Sequence, residues 1–230
     1  MRDLLSQLPD LLVERIMIRK LLLSLCLVVA APLASFAADG AGNYVEGTDY
    51  DLITPALRTA NPDKIEVVEF FWYGCGHCFT FEPVISQWKK TLPEDVEFHG
   101  SPAVWNDLMK LHARAYYTAE VLGVLDTMNS VLFQAMNIDK KRLDSQEEIE
   151  ALFVANGVSA ADFNKAFESF GVKSQVGQGE ARARSAKITG TPEMMVAGKY
   201  RVTTRKSGSQ AGMLKVADFL IAKERAAKAQ

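Results

Sequence analysis

An apolar run, Val67-Val68-Glu69-Phe70-Phe71-Trp72-Tyr73, breaks at Gly74 and is followed at once by Cys75-Gly76-His77-Cys78. β-branched and aromatic residues in unbroken order suit a strand buried on both faces. Two cysteines three positions apart, placed where such a strand hands over to a helix, point to a dithiol redox site. Residues three apart on a first helical turn share a face, so the two sulfurs can close a small disulfide ring. The unpartnered N–H groups at a helix start favour negative charge on sulfur. Cys75, first and more exposed, is the expected nucleophile, and Cys78, one turn inside, the expected resolving thiol.

Two plainer readings compete. A structural zinc site needs about four ligands at tight spacing, and His77, His99 and His112 with one C-x-x-C do not compose a recognisable set, so no metal is expected. A stapling disulfide is the other. The chain holds three cysteines, the third being Cys26 within an N-terminal apolar run. Once that run is removed, an exported protein whose thiols are a single C-x-x-C pair has no disulfide framework for the pair to belong to.

That N-terminal run is itself a signal. Arg19-Lys20 precede uncharged Leu21 to Ala31, and Pro32-Leu33-Ala34-Ser35-Phe36-Ala37 offers small residues at Ser35 and Ala37 for cleavage after Ala37. This is the form of a secretory leader, too short and wrongly flanked to span a membrane. Met17 is a more natural start than Met1, because residues 1–16 carry charges of both signs. A lipoprotein reading of Cys26 fails on Leu25, where a small residue is needed. A net charge of −2 gives no reason to expect nucleic acid.

Glu69 sits on the strand that is apolar on both sides, so it is expected to be buried with a raised pKa, near enough to Cys78 to pass protons. It would be a plain surface residue only if the strand lay at an edge. An imidazole at His77 would stabilise the Cys75 thiolate, the alternative being an exposed spacer. Glu82 is expected on a solvated helix face one turn beyond Cys78.

Along the chain, Tyr44 to Leu57 suggests an edge strand and loop, with Pro55 forbidding a central position. A helix from Cys75 to about Lys90 contains Pro83, which predicts a kink. Val96 to Gly100 is a second strand, parallel to the first in a right-handed βαβ unit. From Val104 to Phe170 only helical periods remain. Trp105, Leu108, Met109, His112, Ala115, Tyr116, Ala119 and Leu122 form one stripe, closed by Gly123. Ser145 with Glu148, and Ser159 with Asp162, are capping boxes, the second opening a helix that ends at Gly171. A further helix over Val172 to Lys187 is followed by Gly190-Thr191-Pro192, a hairpin turning at Ala197-Gly198, and an amphipathic helix over Ala211 to Ala226.

This order resembles a thioredoxin-like α/β fold with an inserted all-α helical domain. The segments EFFWYGCGHC, Phe81-Glu82-Pro83, KTLPEDVEF and TGTPEMMVAGKY together resemble the DsbA family of bacterial periplasmic disulfide-forming oxidases. The likeness covers essentially the whole mature chain. It implies a signal peptide over 1–37, thioredoxin-like parts over 38–102 and 172–230, and a helical insertion over 103–171. It makes Cys75 and Cys78 the redox pair and Thr191-Pro192 a cis-proline loop that offers backbone groups to an extended peptide. Two departures from the family pattern are Gly76-His77 between the cysteines, where many members carry Pro-His, and Thr191 before the proline, where many carry Val. The implied partners are exported polypeptides with free cysteines and a quinone-linked membrane oxidase of the DsbB type, with a monomer and no cofactor expected. A disulfide isomerase or reductase, and a peptide-binding chaperone on the same fold, are the competing functions.

Overall fold

The computed structural model describes residues 42–229. The leader, its cleavage site and Cys26 lie outside the described residues. The order is β1 (Asp51–Leu52), β2 (Ile65–Phe71), α1 (Gly76–Lys89), β3 (Val96–Pro102), α2 (Asp107–Val121), α3 (Leu125–Asn137), α4 (Gln146–Ala155), α5 (Ala160–Phe167), α6 (Phe170–Ser185), β4 (Glu193–Val196), β5 (Tyr200–Thr203), α7 (Thr204–Ser207) and α8 (Gln210–Lys228). The five strands form one mixed sheet in the order β1-β5-β4-β2-β3. Between β3 and β4 of this α/β arrangement stand the helices α2 to α6, an insertion in the place the sequence led one to expect.

β2 is buried along its whole length because both of its faces are covered. Ile65 and Val67 pack against Phe81, Ile85 and Trp88 of α1 and against Leu220 and Ile221 of α8. Val68 and Phe70 face the other way, onto Ala183 and Ala186 at the end of α6, with Ile188 and Met195. β3 runs parallel beside β2, and β4 antiparallel on its other side. Phe71 and Tyr73 lie where the strand gives out, and they join a third cluster built from the inserted helices, with Tyr116, Met128, Phe133, Phe153 and Phe163. The cysteine turn therefore sits at the seam between sheet and inserted helices.

Local signals set most helix starts. Ser145 accepts from the Glu148 N–H and Ser159 from the Asp162 N–H, the N-cap half of a capping box, while Glu148 reaches the Asp144 N–H and Asp162 the Ser159 hydroxyl. Gly123, just past α2, takes the left-handed backbone (φ 69°) that ends a helix. The hairpin turn has positive φ at both Ala197 (52°) and Gly198 (66°). A side chain at Gly198 would strike the Leu57 carbonyl oxygen.

Several expectations need correction. The helix begun at Ala160 stops at Phe167, and Ser169 caps α6 by accepting from the Val172 N–H. Phe170 and Gly171 thus open the next helix, and Phe170, 86% exposed, is no part of a core stripe. Trp105 precedes α2 and is exposed. Only Asp51 and Leu52 of the expected edge strand pair, with β5, and the short α7 was not anticipated. No helix among the described residues is long and apolar enough to cross a membrane.

Candidate active site

β2 delivers the chain to the site at its carboxyl end, and Trp72-Tyr73-Gly74 turn it into α1. A Cβ at Gly74 would lie 2.4 Å from the Trp72 ring, so any side chain there would have to displace that ring. Cys75 occupies the N-cap position, its backbone extended (φ −87°, ψ 112°) and its own N–H donating to the Trp72 carbonyl at 2.9 Å. No acidic side chain occupies the first turn of α1, so nothing offsets the partial positive charge of the helix start.

The two cysteines are free thiols in different surroundings. Cys75 is half-buried and Cys78 wholly buried. The Cys78 thiol hydrogen-bonds to the Cys75 sulfur, which also receives the Thr191 hydroxyl and the backbone N–H groups of Cys78 and His77. Against partial burial, these donors bring the Cys75 pKa from 9.0 down to about 5. When protonated, Cys75 donates to the Thr191 carbonyl, 3.3 Å away. Thr191 therefore meets both states of the sulfur. Burial pushes Cys78 far above the ordinary thiol range, and the neighbouring Cys75 and Glu69 push it further. One thiol of the pair is an anion at neutral pH; the other is not.

The structure places each expected site residue. Thr191-Pro192 is a cis peptide against Cys75; Thr54-Pro55 is also cis. The His77 ring stands exposed at the rim, and the group through which this residue reaches Cys75 is its main-chain N–H. Glu69 is 6% exposed. Burial raises its pKa to about 8, and the nearby Glu82 carboxylate adds to the effect.

Glu82 is half-buried and not on a freely solvated face. Its carboxylate accepts from Asn129 Nδ2 at 2.9 Å and Ser86 Oγ at 3.1 Å. Together with Glu69, Lys89, Asn129 and Phe133 it lines a cavity of about 150 Å³.

Sequence reasoning missed the polar residues that brace this turn. Asn129 Oδ1 accepts from the buried Tyr73 hydroxyl at 3.0 Å, and Asn137 Nδ2 donates to the Tyr73 carbonyl at 2.8 Å. Trp72 Nε1 donates to His112 Nδ1 at 2.9 Å, while His112 Nε2 lies 3.0 Å from the Leu143 carbonyl, which fixes the proton on Nε2. Burial lowers the His112 pKa. His112 was legible as one member of an apolar stripe, but nothing in the spacing marks Asn129 or Asn137 as reaching the cysteine turn. Among the described residues no group of three His, Cys, Asp or Glu side chains is placed to hold a metal ion.

Comparison with known proteins gives a consistent result. The DSBA-like thioredoxin domain matches residues 92–211. The chain is 39% identical over 209 residues to the thiol:disulfide interchange protein DsbA of Pseudomonas syringae pv. tomato, covering 91% of this chain and 97% of that protein. It is 37% identical over 209 residues to the protein of the same name from Pseudomonas aeruginosa. The crystal structure of Pseudomonas aeruginosa DsbA superposes with a TM-score of 0.79 at 37% identity, over 81% of this chain and 97% of that one. A DsbA oxidoreductase from Xylella fastidiosa matches with a TM-score of 0.75 at 31% identity.

Proposed function

Because the chain belongs to the DsbA family and is a protein thiol:disulfide oxidoreductase, we propose that it works in the periplasm as a donor of the Cys75-Cys78 disulfide to newly exported polypeptides. A substrate thiolate attacks Cys75, forming a mixed disulfide and expelling Cys78 as the leaving thiolate. Burial holds the Cys78 pKa far above the ordinary thiol range, so the departing thiolate takes up a proton, and Glu69, protonated up to about pH 8, is the acid beside it. A second substrate thiolate then attacks the substrate sulfur of the mixed disulfide and releases Cys75. With its pKa near 5, Cys75 departs as a stable anion. The substrate loses two hydrogens and gains a disulfide; the protein becomes the dithiol.

The cis loop at Thr191-Pro192 is the natural seat for an extended substrate, since its backbone lies against the attacked sulfur. The spent dithiol is returned to the disulfide by a quinone-linked membrane oxidase of the DsbB type. The observation that carries the reading is the split between the two thiols. Stabilising one anion in the reduced form makes the disulfide easy to give away.

The test is a pH titration of thiolate ultraviolet absorbance in the reduced protein, paired with a reduction potential from glutathione equilibration. A midpoint near 5 that vanishes in Cys75→Ser, with a potential well above that of thioredoxin, is expected. A midpoint of about 8 to 9 with a thioredoxin-like potential would instead indicate a reductase.

A further inference from the structure

A groove of about 390 Å³ opens beside the cysteine turn. Its walls are His77 and Thr80 of α1, the 189–193 loop, and the segment from Arg201 through Arg205 and Lys206 to Gln210. Its volume is in the range of sites that take ligands of peptide-fragment size. Gln210 Nε2 donates to the His77 carbonyl at 2.5 Å and ties the far wall to α1.

The charges along this groove do not cancel. Arg201, Arg205 and Lys206 bring three cations. Two carboxylates face them. Asp51 pairs with Lys206 at 2.5 Å and with Arg201 at 3.2 Å. The buried Glu193 lies 3.9 Å from Arg201 and accepts from Thr189 Oγ1. Arg205 is exposed, and among the described residues it has neither ion pair nor hydrogen bond. The first turn of α8, which begins at Gln210, contains no acidic residue, so the nearby helix start adds to the positive potential instead of offsetting it. A long cation held free over a substrate groove is poised to meet charge on whatever lies in it.

We propose that Arg205 makes this groove selective for thiol-bearing polypeptide segments that carry aspartate or glutamate within a few residues of the reacting cysteine. The inference rests on the disulfide-donor reading above and adds which substrates are favoured. An acidic side chain in the groove pairs with Arg205 in water-exposed surroundings. The preference is therefore modest and sensitive to salt.

The experiment uses the oxidised full chain and dithiol peptides identical except for Glu, Gln or Lys flanking the first cysteine. Each rate is divided by the same variant's rate with dithiothreitol, a neutral dithiol too small to span the groove. The Glu peptide is expected to react about 2- to 5-fold faster than the Lys peptide at low ionic strength. The difference should shrink in high salt and disappear in Arg205→Gln. In Arg205→Glu the order should reverse. Equal rates for the three peptides in the unaltered protein would overturn the proposal, and so would a Glu preference that survives Arg205→Gln. Failure to oxidise dithiothreitol at all would bring down the disulfide-donor reading itself, and the selectivity with it.

Discussion

Glu69 carries a cost that grows with pH. In the folded protein its carboxyl keeps its proton up to about 8, against 4.5 for the ordinary side chain, because it sits in the sheet beside Glu82. A raised folded pKa contributes stability that is complete below the unfolded value and is lost as pH rises through the folded one. For Glu69 the window therefore runs from about pH 4.5 to about pH 8. Glu69→Gln, which keeps the shape and has no proton to lose, should match the unaltered protein near pH 4.5 and exceed it in stability near pH 8. Urea denaturation of both proteins at the two pH values measures this, and a gap that stays constant with pH would refute it. The burial of Glu69 was legible because a lone acid interrupts a run apolar on both sides. The inward turn of Glu82 was not, because a helix face is solvated or covered according to what packs on it, and what packs here is α3, more than forty residues on in sequence.

Besides the Phe79–Phe133 ring contact, one amide ties α1 to α3. Asn129 donates to the Glu82 carboxylate and accepts from the Tyr73 hydroxyl, so it links an inserted helix both to the cysteine helix and to the turn before it. Tyr73 is 1% exposed, and a buried hydroxyl left without a partner costs about 1–3 kcal/mol. Asn129→Ala is expected to destabilise the protein by about that amount, and Asn129→Asp, which keeps an acceptor for Tyr73 but sets a second carboxylate against Glu82, is expected to destabilise it increasingly as pH rises. Midpoints of chemical denaturation should rank the amide above both variants, with the aspartate variant losing more at neutral pH than at about pH 4.5. At this scale the sequence is informative where a signal is local. Ser145 and Ser159 announce their helices because a cap acts within three residues. The break before α6 was misplaced because the apolar period of α5 runs on through Phe170, and the competing cap at Ser169 prevailed.

Across the whole molecule, one buried pair holds the second face of the sheet to its covering helix. Glu66 of β2 is 1% exposed, and Arg182 of α6 donates to it. Ala60 N–H adds a weaker contact at 3.4 Å. Removing one partner of a fully buried pair leaves a charge without compensation, at about 3–5 kcal/mol, and with Arg182 26% exposed the cost here falls at or below the lower end of that range. Arg182→Met should show that loss in thermal or denaturant unfolding. Adding Glu66→Gln should recover a substantial part of it, since the stranded charge is then gone. If the double variant were no more stable than Arg182→Met, the pair would not be what holds α6 there.

What the amino-acid order determined by itself is whatever depends on neighbours a few residues apart. The strand-to-helix handover, the redox pair one helical turn apart, the capped helices and the hairpin all follow from backbone geometry and side-chain period. Tertiary structure alone decided which distant groups complete the site. Thr191 reaches Cys75 across 116 positions, Asn129 reaches Tyr73 across 56, and Gln210 reaches His77 across 133. Such contacts leave no periodic trace, because packing of whole elements against the sheet, and not any local preference, sets which side chains end up within a hydrogen bond of one another.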